Sequence, residues 1–180
     1  LAPEQRAAAG RHIDGELLAL DSFRKARTVL AYLSFGSEFD TATLVCEVLA
    51  RGSRLALPRV DRASREILPC LVRDLEQDIA PGTWGIREPV PDRCPVLAGG
   101  DIDFVLVPGV AFDDRCRRMG YGAGFYDRLL ARLPAHTTRI AAAFEVQVVA
   151  DVPVTQTDIP VDCLITERRT LRRSETQELD

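Results

Sequence analysis

Nine consecutive residues, Gly120-Tyr121-Gly122-Ala123-Gly124-Phe125-Tyr126-Asp127-Arg128, combine the types and spacing that can hold a phosphate group. Glycine lacks a Cβ, so the backbone can take positive φ and come close to a ligand. A helix opening beyond the last glycine would turn free N–H groups and the positive end of its dipole toward an anion. Arg118 just before the loop and Arg128 at its end could each bring a guanidinium to phosphate oxygens, although solvated surface charge is the usual fate of an arginine. No Lys-Ser or Lys-Thr follows the last glycine, which excludes a Walker A motif. The G-x-G-x-G spacing, without an early acidic ribose ligand, also departs from a dinucleotide fingerprint. By spacing alone, a tight strand-to-helix connection stays open beside the phosphate reading.

Nucleophilic hydrolysis has less support. The two histidines, His12 and His136, fall in a surface helix and a helix-end loop, and no string sets either beside a nucleophile. Asp127 falls in the first helical turn, where the dipole favours a carboxylate whatever its function. Glu38 lies in a turn after the first strand, where an open α/β sheet places its ligands, and it could equally be solvated or cap a helix.

The elements that must position these residues follow from periodicity. The apolar run 104–112 is almost uninterrupted and predicts a buried strand feeding the loop. Phe125, Leu129, Leu130 and Leu133 share one face of the helix behind it. Upstream, residues 1 to about 23 read as a helix with Ile13, Leu17, Leu18 and Leu20 as its stripe and Pro3 in its first turn. A strand over 28–35 leads to a polar turn at 34–41, with a helix N-cap at Asp40 or Thr41. That helix buries Leu44, Val45, Val48 and Leu49 and stops at Gly52; a strand over 53–57, closed by Pro58, completes a βαβ unit and implies parallel strands.

A strand over 66–72 carrying Pro69 suits a sheet edge. The Pro-, Gly- and Asp-rich stretch 74–100 reads as long connecting loops around Trp84, and loops of this length in a compact domain are more often functional than accidental. A strand over 139–144, a helical turn over 145–150 and a strand over 161–166 follow. The expected fold is therefore a single three-layer α/β domain over 1–170, with a mostly parallel sheet flanked by helices and a polar, frayed tail over 171–180.

Composition excludes several classes. A net charge of −4 without a basic stripe argues against nucleic-acid binding. The five cysteines are scattered, odd in number and never spaced C-x-x-C, which argues against a disulfide framework or zinc site and for a reducing cytoplasm. Apolar runs are strand-sized and no signal pattern opens the sequence, so a soluble cytoplasmic protein without a membrane partner is expected.

The string from Pro108-Gly109-Val110-Ala111-Phe112-Asp113 to Arg118-Met119-Gly120-Tyr121-Gly122-Ala123-Gly124-Phe125-Tyr126-Asp127-Arg128 resembles the signature of the 5-formyltetrahydrofolate cyclo-ligase family. The resemblance extends, in the family's order, to Phe35-Gly36-Ser37-Glu38-Phe39-Asp40-Thr41, Leu57-Pro58-Arg59, Gly85-Ile86-Arg87-Glu88-Pro89, Gln147 and Thr157-Asp158-Ile159-Pro160-Val161-Asp162. It implies ATP-dependent cyclisation of 5-formyltetrahydrofolate to 5,10-methenyltetrahydrofolate with release of ADP and phosphate, through a phosphorylated formyl group. It further implies ATP on Arg118 and Gly120 to Arg128, magnesium on Asp127 and Asp158, and folate against Glu38, Trp84 and Tyr126. No residue is assigned a catalytic role, since positioning and charge neutralisation would suffice. The expected partner is the folate alone, with or without a polyglutamate tail, and a monomer is favoured.

The resemblance also shows departures. Relatives usually open earlier, with a basic helix reaching the nucleotide phosphates, and this sequence starts after it. Phe125 stands where a tyrosine is common, Cys116 where many relatives have glycine, and Ala123 where they have glycine or lysine. If position 123 needs positive φ, alanine strains the loop. Two rivals share the fold: a non-catalytic folate- or nucleotide-binding paralogue, and a sugar-phosphate isomerase-like enzyme that would need an acid–base pair and no ATP.

Overall fold

The computed structural model describes residues 1–82 and 85–174. Short strands buried on both sides pair in parallel at the centre of a seven-stranded sheet: β1 (Thr28–Leu30), β6 (Phe104–Leu106), β9 (Thr138–Ala142) and β10 (Cys163–Ile165). β2 (Arg54–Asp61) joins β1 in parallel, and the antiparallel strands β3 (Glu66–Val72) and β11 (Thr170–Arg172) close the edges, giving the order β11-β10-β9-β6-β1-β2-β3.

Successive strand residues point to opposite faces, so each strand feeds two cores. Val29, Leu55, Leu57, Phe104, Leu106 and Ile140 pack beneath α1 (Pro3–Ala19), α2 (Asp21–Lys25) and α3 (Ala42–Ala50). Leu30, Ala56, Val105, Ala141 and Leu164 pack beneath α4 (Phe125–Leu130) through Leu129, Leu130 and Leu133. This is the expected three-layer α/β architecture. Among the described residues no helix is long and apolar enough to cross a membrane.

Several boundaries differ from the sequence expectation, each for a local reason. The first helix breaks at Leu20, whose ψ of 129° is extended, and α2 then turns Phe23 onto Phe104 with ring centroids 5.5 Å apart. β1 ends at Leu30, and residues 31–35, in no regular element, lead into the turn at 34–41. The 104–112 run is not one strand. Pro108 has no N–H for a ladder, and at Gly109 a Cβ would stand 2.5 Å from the Phe112 ring, so the chain folds back there. Ala111–Phe112 (β7) leaves the sheet and pairs with Arg118–Met119 (β8) as a separate ribbon.

β2 does not close at Pro58. Pro58 faces Pro69 across the β2–β3 hairpin, and the Pro69 carbonyl points away from β2 to accept the Leu97 N–H at 2.8 Å. Neither imide is asked for a ladder bond, so the strand runs on to Asp61. The 74–100 stretch contains a hairpin, β4 (Ile79–Pro81) with β5 (Arg87–Pro89), and a bridge from Val96 to Cys70. Leu171 and Arg172, expected in the tail, lie in β11.

Gly52 is the stop it was expected to be. With φ at 74°, it sends its own N–H to Leu49 O at 3.1 Å and the Ser53 N–H to Val48 O at 3.1 Å, which together satisfy the last carbonyls of α3. Gly52→Ala should therefore cost about 1–2 kcal/mol, the penalty of a Cβ in the left-handed region, read as a lower urea midpoint with unchanged m-value.

Candidate functional site

The loops leaving β1 and β6 emerge side by side at the carboxyl edge of the sheet, because the two strands are parallel neighbours. The first is a closed turn. Tyr32 is buried, and its carbonyl accepts the Thr41 hydroxyl at 2.6 Å. Gly36 supplies the left-handed residue at φ 61°. Arg6 of α1 donates to the carbonyls of Gly36 at 3.4 Å and Glu38 at 3.1 Å, tying the helix to the turn. Thr41 caps α3 only by position, since Asp40 Oδ1 takes the Ala42 N–H at 3.0 Å.

The second loop starts from the β7–β8 ribbon, whose turn is built on Asp113. That carboxylate is fully buried and accepts from the N–H groups of Arg115, Arg117 and Val152 at 3.0, 3.1 and 3.0 Å and from Arg117 Nε at 2.6 Å. Burial alone would raise its pKa, but the Arg117 guanidinium and these N–H donors outweigh it and hold the carboxyl below its ordinary range. The turn places Cys116 at φ 61°, the conformation for which glycine is the easy residue.

In the glycine loop, Gly122 and Gly124 take φ of 85° and 65°, and Gly124 opens α4. Ala123 has negative φ, so its Cβ brings no backbone strain and the concern over this substitution falls away. Arg128 straps the loop to the β2–β3 hairpin. Its guanidinium donates to Arg65 O at 2.7 and 3.1 Å and to Ala123 O at 3.1 Å, and lies 5.2 Å from the Phe125 ring centroid. Arg118 is buried and ion-paired with Asp127, Nη2 to Oδ1 at 2.6 Å, with the side chains 4% and 17% exposed. The same Oδ1 accepts the Ile159 N–H at 3.1 Å, which draws the segment holding Asp158 onto α4.

The two loops clasp each other. Tyr121 donates its hydroxyl to Glu38 Oε1 at 2.9 Å, the Phe35 N–H donates to Oε2 at 3.1 Å, and the Phe35 and Tyr121 rings lie 5.9 Å apart. Burial raises the Glu38 pKa, opposed by these two donors. Burial and the bond to Glu38 push Tyr121 up to about 12. Tyr126 is pushed well up by burial and by the Glu38 charge, and its hydroxyl has no hydrogen-bond partner among the described residues.

Glu38, Arg118, Tyr126, Asp127 and the glycine loop are thus brought to one edge, with Asp158 one residue from the Asp127 contact. Trp84 lies outside the described residues. Gln147 donates Nε2 to the carbonyls of Gly109 and Val110 at 3.3 and 3.2 Å, supporting the ribbon from the far side. Sequence reasoning did not single out Tyr32, Arg6 or Asp113. The signal available was slight: a Tyr in a strand-end run, a helix-start Arg, and an Asp before a turn.

An open α/β domain with a glycine loop at its carboxyl edge defines a class that binds anionic small molecules, and comparison with known proteins narrows it. The profile of the 5-formyltetrahydrofolate cyclo-ligase family matches residues 1–167. The 5-formyltetrahydrofolate cyclo-ligase of Escherichia coli K12 is 32% identical over 167 residues, 92% of each chain. That of Mycolicibacterium smegmatis is 34% identical, covering 79% of this chain and 75% of its own. The NMR structure of Aquifex aeolicus 5,10-methenyltetrahydrofolate synthetase superposes with a TM-score of 0.84 at 34% identity, covering all of this chain and 89% of that one. The chain belongs to the 5-formyltetrahydrofolate cyclo-ligase family, whose reaction is the ATP-dependent cyclisation of 5-formyltetrahydrofolate to 5,10-methenyltetrahydrofolate.

The Asp113 hub yields a stability prediction. A carboxyl held low in the folded state stabilises above its unfolded pKa of about 3.9 and loses that contribution as pH falls through the folded value. Asp113→Asn should cost about 3–5 kcal/mol at neutral pH, as when one partner of a buried ion pair is removed. Its urea midpoint should also fall less steeply than the native one as pH drops below about 4.

Proposed function

We propose that this chain performs the family reaction at the joined loops, with the nucleotide phosphates on the backbone of Gly120 to Gly124. The observation that carries the reading is the clasp: the glycine loop is held by hydrogen bond and ring contact to the turn bearing Glu38. Phosphate donor and folate would thereby share one edge of the sheet. A formamide oxygen is a poor leaving group, so the formyl oxygen first takes the γ-phosphoryl group of ATP. N10 of the folate then attacks the activated carbon, and phosphate departs. The protein's part is orientation and charge stabilisation.

In this reading Tyr121, Ala123, Phe125 and Tyr126 shape the phosphate loop and Arg128 braces it. Arg118 keeps Nη1 beside Gly120, where a Cβ would stand 3.3 Å away, and is suited to a phosphate lying over that glycine. Folate would lie against Glu38, Tyr126 and Trp84. Negative φ at Ala123 removes one motive for a non-catalytic paralogue.

Magnesium takes oxygen ligands, and one or two carboxylates with phosphate oxygens and water suffice. Asp127 and Asp158 fit that donor set. Asp127 uses Oδ1 for Arg118 and Ile159, and Asp158 uses Oδ2 for the Thr155 N–H and hydroxyl at 2.6 and 3.1 Å. Their other oxygens accept nothing from the described residues. No group of three acidic, His or Cys ligands gathers among the described residues, so phosphate oxygens and water would supply the rest. Bound there, the ion would neutralise charge on the phosphates during transfer.

Purified protein with 5-formyltetrahydrofolate and magnesium should develop methenyltetrahydrofolate absorbance only when ATP is added; ATP-independent product, or none, would remove this reading. Asp127→Asn and Asp158→Asn should each raise the magnesium concentration for half-maximal rate at least about tenfold. Calorimetric ADP binding should lose its magnesium dependence in both. Because Asp158 has no ion pair to Arg118, a defect confined to Asp127→Asn would mark the Arg118 pair, and not metal binding, as its cause.

A further inference from the structure

All three tyrosines of the sequence gather around one carboxylate. Tyr121 donates to Glu38 directly, while Tyr126 from α4 and Tyr32, two residues past β1, are raised first by burial and lie near enough for the Glu38 charge to add to it. The Glu38 carboxylate is fixed at both oxygens, by Phe35 N–H and Tyr121 O–H, and its backbone carbonyl is held by Arg6. A solvated or helix-capping glutamate would not need that much support.

Ring closure in the reaction proposed above has a proton to dispose of. N10 carries one hydrogen in the substrate and none in the methenyl product. As the N10 lone pair forms the bond to the activated formyl carbon, the carbon–oxygen bond to the phosphoryl group breaks and its electron pair leaves with inorganic phosphate. The N10–H bond breaks with its electrons kept on nitrogen. Resting on that reading, we propose that Glu38 is the catalytic base that accepts the N10 proton.

The other ionisable groups near the clasp are poorly suited to the task. Arg118 and Arg128 have no lone pair to offer, the Asp127 carboxylate is ion-paired to Arg118 and accepts the Ile159 N–H, and the Asp158 carboxylate is engaged by the Thr155 N–H and hydroxyl. His136 precedes β9 at the opposite, amino edge of the sheet, and His12 lies on the exposed side of α1. Burial makes Glu38 a stronger base than a solvated glutamate, which suits proton abstraction near neutral pH. The groups facing it are Tyr121, Tyr126 and Tyr32, with Arg6 on its carbonyl and Asp40 in the same turn.

Rapid mixing of the full chain with excess ATP, magnesium and 5-formyltetrahydrofolate separates the two steps. With folate saturating, Glu38→Gln should slow the appearance of methenyl absorbance about 100-fold or more beyond any slowing of first-turnover ADP formation. Glu38→Asp, which keeps the carboxylate and covers failure of the amide to fold, should also retain ADP formation with slower closure. Tyr121→Phe removes a donor that favours the charged carboxylate, so the acid limb of the closure rate should move to higher pH. Closure within about threefold of native in Glu38→Gln, or loss of ADP formation together with folate binding, would overturn the proposal. Native protein that forms no product would overturn the cyclo-ligase reading itself, a distinct result.

Discussion

The buried ion pair between Arg118 and Asp127 governs the geometry of everything around the glycine loop. It joins the last strand before the loop to the first turn of the helix after it, so the eight residues from Met119 to Tyr126 are closed at their base by one charged contact at 2.6 Å. Because both groups are largely withdrawn from water, each depends on the other: a guanidinium or carboxylate left alone there would bear the full desolvation cost. Asp127 then uses the same oxygen to catch Ile159, so one carboxylate fixes loop, helix and the distant segment with Asp158. Arg128 performs the complementary task on the outer side, where its guanidinium spans from the loop to the β2–β3 hairpin. Both arginines flanking the loop are therefore structural as well as electrostatic.

That dual use explains why the motif tolerates its departures. Alternate glycines suggest that every position of the loop needs freedom, but only Gly122 and Gly124 take positive φ. Ala123 between them carries a Cβ at no conformational cost. The strain lies instead at Cys116, a non-glycine residue in the left-handed region, held there by the Asp113 hub and by burial of its side chain. Left-handed backbone at an L-residue persists only where the surroundings over-determine it, and four donors on one buried carboxylate do that.

Much of the fold was legible because it rests on local signals. The uninterrupted apolar runs, the glycine stop at Gly52 and the proline-bearing edge strand each carry their own physical cause. What was not legible depended on contacts across the sequence. The break of the 104–112 run needs the Phe112 ring against Gly109, and the persistence of β2 past Pro58 needs Pro69 opposite it. The turn of Phe23 off the first helix needs Phe104. At the site, Glu38, Arg118 and Asp127 could be singled out from their positions relative to strands and glycines. Their pairings could not. Arg6, Tyr32 and Tyr121 are brought to Glu38 by three different elements, and nothing in their spacing encodes that meeting.

The clasp also sets a direction for how the site responds to charge. Glu38 is stabilised as a carboxylate by a phenol and a backbone N–H, both neutral donors, and not by a cation. A guanidinium in the same place would lower its pKa and weaken it as a base. Neutral donors orient the group while burial keeps it basic, and the fully buried Tyr126 hydroxyl, unpartnered among the described residues, adds a further polar group to the same small volume. The guanidinium groups of Arg118 and Arg128 flank the glycine loop instead. The separation follows from topology. The turn after β1 carries the Glu38 carboxylate, the loop after β6 carries Arg118 and Arg128, and Tyr121 reaches from one to the other.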